Sequence, residues 1–225
     1  MYAVEQAVRA ELADRLGGLG WDLIDEDHEV VVFSLQRDAD QELVWHLGVS
    51  FGGRGASLRL SPVLGVQHPA TSRLVTLFNG LPGQEAGGLC SFGIPLSELI
   101  PRRAGESLAL PRWAVRREGE AGMTVAALCT DLRSVGLPFF EPFRTLESLI
   151  RRLSIESRYQ VMSGHLAVAR ALAGDIPGAE SALAEYARTA AHQQGLMLTA
   201  THQFVSGFVG HFGFGAEVAT AIPGA

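Results

Sequence analysis

The chain has 225 residues, 47% of them hydrophobic and 19% charged, with a formal net charge of −6. That length and apolar content support a packed core without disulfide staples and exclude a disordered chain. All 18 basic residues are arginine, and the overall balance is acidic. This excludes a nucleic-acid clamp built on bulk positive charge, a Schiff-base lysine and a P-loop lysine.

Residues 3–16 place Val4, Ala7, Val8, Leu12 and Leu16 at helical spacing, and Gly17-Gly18 then stops the helix. Residues 1–50 carry three arginines against eleven carboxylates, concentrated at Asp22, Asp25, Glu26, Asp27 and Glu29. This stretch reads as a loop and strand edge, and Asp25, Glu26 and Asp27 are its candidates for meeting a basic partner. Residues 29–36 are β-branched and aromatic, which predicts a strand. From 42 to 51 the pattern alternates. Leu43, Trp45, Leu47, Val49 and Phe51 point to one face, and Val44, His46, Gly48 and Ser50 to the other. A glycine-rich hairpin at 52–55 leads to a strand at 56–64, with Leu58 and Leu60 inward and Arg59 outward.

His68-Pro69 opens a helix that runs to Asn79. A long glycine-rich connection follows, with strands expected at 88–94 and 111–117, the second carrying Arg112, Arg116 and Arg117. Residues 121–135 read as a helix closed by Gly136 and Pro138. Beyond the Phe139–Phe143 connector the pattern is helical throughout, with helices at 144–153, 156–173, 177–193 and 196–212 and a frayed end at 213–225. The expected fold is α+β. An antiparallel sheet with flanking helices (1–138) is followed by a C-terminal helical array (144–213) packed on it.

Few chemistries fit. Cys90 and Cys129 both sit in apolar sequence and read as buried free thiols rather than a disulfide framework. The seven histidines show no HxH, HxxxH or HExxH spacing, so no metal or cofactor is expected. No GxSxG elbow and no GxGxxG fingerprint occurs, and no catalytic residue is assigned. Residues 195–216 are long and apolar but hold His202, Gln203 and His211, which argues against a membrane span. Met1–Gln6 lacks the basic and apolar regions of a signal peptide, so a cytoplasmic protein is expected.

Two resemblances bear on function. Residues 164–188, GHLAVARALAGDIPGAESALAEYAR, resemble one tetratricopeptide-type helix pair through Ala169, Leu172, Gly174-Asp175, Ala179 and Ala182. The stretch 29–64 with the late helix pair is similar in architecture to small bacterial cytoplasmic immunity-type α/β proteins. That likeness implies an acidic or mixed surface that plugs a toxin. The expected function is therefore non-enzymatic protein binding, of immunity or adaptor type, by surface complementarity. The partner would be another protein, a toxin or a second copy, with no nucleic acid and no membrane. Candidate contact residues are Asp25, Glu26, Asp27, His46, Arg59, His68, Arg112 and Arg116. An alternative is an enzyme or small-ligand binder with a pocket between sheet and helices, where His46, Arg59 and His68 would converge. A third reading uses the Phe204, Val205, Phe208, Val209 and Phe212 stripe for self-assembly.

Overall fold

The computed structural model describes residues 2–36, 41–53, 57–80, 90–101, 112–156, 160–191 and 196–220. The chain forms two compact units. The first holds 1–39, 44–66 and 93–142, and the second holds 40–43, 67–92 and 143–225. The last change of unit along the chain comes at 142/143, and 40–43 and 67–92 belong with the helices rather than with the sheet. The helix after His68 buries its apolar side among later helices, which draws it into their unit.

The first unit begins with α1 (Tyr2–Gly17), which buries Val8, Arg9, Leu12 and Leu16. Then come β1 (Asp22–Glu26), β2 (Val30–Leu35), β3 (Val44–Gly52) and β4 (Leu58–Gln67). After β4 the chain passes through α2 (Pro69–Phe78), which belongs to the second unit, and then forms β5 (Phe92–Pro95), α3 (Leu96–Leu99) and β6 (Ala114–Val115). The sheet runs β1-β2-β3-β4-β5, and β6 also pairs with β4. The architecture is α+β, as the sequence pattern indicates.

Register shows which face is the core. Val31 lies opposite Val49, Phe33 opposite Leu47 and Leu35 opposite Trp45, and all six are buried. The alternate pairs, Val32 with Gly48 and Ser34 with His46, share the other face. Trp45 stacks on Phe140 with ring centroids 5.0 Å apart and planes 9° from parallel. These rings anchor the core.

Of the loop and strand edge expected over the acidic stretch, Asp22–Glu26 is strand throughout. Its acidic composition hides a strand that gains its pairing from β2. The helix expected to close at Gly136 does not close. α4 (Ala121–Asp131) continues through a π-turn, Leu132–Gly136, into α5 (Leu137–Phe140). The Leu137 N–H donates to the Leu132 carbonyl five residues back, so the wider turn admits Pro138 without a break. Gly136 fits there because a Cβ would lie 2.7 Å from Leu132 and 3.4 Å from Leu96.

The second unit holds α2 with α6 (Leu146–Glu156), α7 (Gln160–Leu172), α8 (Ile176–Ala191), α9 (Leu196–Phe212) and α10 (Ala216–Thr220). α10 stands within the stretch 213–225 expected to fray, of which 221–225 lie outside the described residues. α7 and α8 pack against each other as a helical hairpin, and α6 and α2 also pack on α7. Small residues Ala167, Ala169, Ala179 and Ala182 are buried where helices approach closely. On α9, Phe204, Val205 and Phe208 are buried within this unit. Phe78 sits edge-on to Phe204 and Phe208, at 5.7 and 6.2 Å. Three residues of the apolar stripe thus face their own unit's core, while Val209 and Phe212 are half-buried. Among the described residues no helix is long and apolar enough to cross a membrane.

Candidate functional site

The acidic front divides into residues with different duties. Glu26 lies opposite Val31 on the core side and accepts a 3.1 Å hydrogen bond from Arg9 Nη1. Arg9 is itself buried, pairs with Glu5 at 2.8 Å, and places its guanidinium 4.3 Å over the Phe51 ring. Asp27 Oδ1 accepts from the backbone N–H groups of Glu29 at 2.6 Å and Val30 at 2.8 Å. Those donors hold its carboxyl below the usual range, and they fix the turn between β1 and β2. Asp25 is exposed and lies opposite Val32, on the outer face of the sheet.

The basic and histidine candidates are similarly engaged. His68 is the N-cap of α2. Its Nδ1 accepts from the Thr71 N–H at 3.2 Å and lies 2.8 Å from Thr71 Oγ1. Burial pushes the His68 imidazole below its ordinary range, with Glu42 opposing. His46 is buried on β3, whereas Arg59 is exposed opposite Ala114. By alternation both belong to the sheet face away from the core. Arg112 donates two 2.8 Å hydrogen bonds to Asp131, and the Trp113 indole N–H donates to the same carboxylate at 3.1 Å. Arg116 is exposed, and its backbone N–H donates to Glu120. Arg37, Asp38, Asp40, Arg102 and Arg103 lie outside the described residues.

The two thiols differ. Cys129 is buried as expected, but Cys90 is exposed as a residue, which corrects the sequence reading. Atoms crowding its sulfur still push that thiol up to about 11, so it stays protonated at neutral pH. Among the described residues no three His, Cys, Asp or Glu side chains gather closely enough to hold a metal ion.

What the structure does gather is a groove of 810 Å³ between α1 and the entry to α4. Its carboxylates are Glu11, Asp14 and Glu118, and Ala7, Ala10, Ala121 and Gly122 keep it open by their small size. Glu11 pairs with exposed Arg15 at 2.8 Å. None of these three carboxylates is among the expected contact residues; the signal that marks Glu11 and Asp14 is their spacing of three on one helix face. Glu118 joins them only through the 3₁₀ turn Glu118–Glu120, which no local pattern marks.

The second unit has a smaller groove of 360 Å³, lined by Ser154, Arg170, Ser181 and Arg188 among others. Arg170 donates to the Gly178 carbonyl at 3.1 Å and to Ser154 Oγ at 3.1 Å, and Arg188 pairs with Glu185. Its cations are thus already committed to the helix pair. No protein-family model matches the chain, and neither a curated protein nor a solved structure matches it.

Proposed function

We propose that this chain is a non-enzymatic protein-binding protein of immunity or adaptor type. It would act in the cytoplasm, where both free thiols stay reduced. It covers a basic surface of its partner with the acidic side of its first unit. The observation that carries this reading is the groove in which Glu11, Asp14 and Glu118 stand over an alanine and glycine floor. Complementary charge there speeds encounter and selects the partner, while the small floor residues admit long basic side chains. Glu26, Asp27, His68 and Arg112 are held in local structure, so contact with the partner falls to the groove carboxylates and to exposed Asp25.

The test is crosslinking capture from the native cells. The unaltered chain is compared with the triple variant Glu11→Arg, Asp14→Arg, Glu118→Arg. The unaltered chain should retain a defined protein in a salt-sensitive manner, and the triple variant should lose it while keeping its circular dichroism. Equal capture by both chains, or capture of nothing, removes the proposal.

A further inference from the structure

We infer that the free edge of β1 takes a basic, extended segment of the partner as an added strand. The inference rests on the reading of the first unit's acidic side as the contact surface. β1 ends the strand order, with β2 on one side and, among the described residues, no strand on the other. An edge strand presents unpaired N–H and C=O groups that can template another strand. All five β1 residues are exposed. Two of them are apolar: Leu23 keeps 45% and Ile24 42% of its surface in solvent.

The register shows which strand would fit. Asp22 lies opposite Ser34 and Asp25 opposite Val32, with the register shifting between Leu23 and Asp25. Strict alternation would place Asp22 and Asp25 on opposite faces. The bulge puts both on the outer face of the sheet, as β-bulges re-aim side chains. Leu23 and Glu26 keep the other face, opposite Phe33 and Val31. A second copy of this edge would set carboxylates against carboxylates, and like charges directly opposite oppose pairing. A strand with cations on one face answers Asp22 and Asp25, and apolar side chains on its other face cover Leu23. Backbone hydrogen bonds supply affinity and the charge pattern supplies choice.

The probe is a short capped peptide alternating lysine and valine, titrated into the isotopically labelled full chain. A control peptide has the same side chains but is N-methylated throughout, so it keeps the charge and loses every backbone donor. The plain peptide should shift and protect the amides of Asp22–Glu26. Methylation should weaken binding by about tenfold or more, the loss of one or two backbone hydrogen bonds. The double variant Asp22→Lys, Asp25→Lys, altered only at exposed positions, should weaken the plain peptide by a similar factor. Absence of binding, or shifts confined to other residues, overturns the inference. Equal binding by the methylated peptide also overturns it. If that equal binding disappears in the Glu11, Asp14, Glu118 triple variant, the acidic-surface reading survives and only strand addition falls.

Discussion

Arg112 and Asp131 meet through two parallel hydrogen bonds of 2.8 Å, joining the approach to β6 to the end of α4. The same carboxylate accepts from the indole of buried Trp113. Asp131→Ala therefore leaves a buried N–H without its acceptor, whereas Arg112→Ala removes a half-exposed partner. Urea unfolding should show a cost of about 1–3 kcal/mol for Asp131→Ala and about 0–1 kcal/mol for Arg112→Ala. Equal costs would mean that the ion pair, and not the indole, carries the contribution.

Gly207 and Gly210 lie on the same helix and should respond in opposite directions. A Cβ at 207 would stand 2.9 Å from Phe78 Cδ1 and 3.2 Å from its Cα, while one at 210 meets nothing within 4 Å. Gly207→Ala should destabilise by about 1–3 kcal/mol through overpacking. Gly210→Ala should stabilise by about 0.5–1 kcal/mol, since alanine favours helix. Thermal unfolding of the two variants checks the pair.

His165 on α7 is fully buried, and neither ring nitrogen has a hydrogen-bond partner among the described residues. Burial disfavours the cation and lowers its pKa from 6.5 to about 4. The folded value lies below the unfolded one, so the unfolded chain binds the extra proton. The linked stability is present above pH 6.5 and is lost as pH falls toward 4. Its full size is about 3 kcal/mol. His165→Met keeps comparable volume and removes the titration. Urea midpoints at neutral and mildly acidic pH should fall less for this variant than for the unaltered chain.

The capping role of His68 separates it from a catalytic histidine. His68→Asn retains a side-chain acceptor at the N-cap of α2, and His68→Ala does not. The alanine variant should lose about 1 kcal/mol and the asparagine variant only a few tenths. Chemical unfolding of both would expose any other role, because a contribution beyond capping would separate asparagine from histidine.

The parts of this fold that could be read from sequence are those with a regular period. β2, β3 and β4 alternate because one face meets Trp45, Leu47 and Phe33 in the core, and that demand is written every second residue. β1 carries no such mark: its residues are all exposed, so no burial constraint disciplines their order. The π-turn leaves no local signal for a different reason. Gly136 and Pro138 usually end helices, and only the crowding by Leu132, Leu96 and Leu64 shows why a glycine suits a continuing one. At the candidate site, the sequence does not distinguish Glu26 and Asp27 from Asp25. The difference lies in Arg9 and in two backbone N–H groups, which become neighbours only after folding.

The ring of Phe78 waits for residues made much later. Its partners Phe204 and Phe208 belong to α9, near the far end of the chain. During synthesis α2 must leave the ribosome with its apolar side uncovered, while the last segment of the sheet-bearing unit, 93–142, emerges well before α9. Closing so long a loop is slow, and the exposed ring is a liability until it closes. Clipping the chain ahead of α9 would make that transient exposure permanent, so such fragments should be sticky even where the sheet itself is sound.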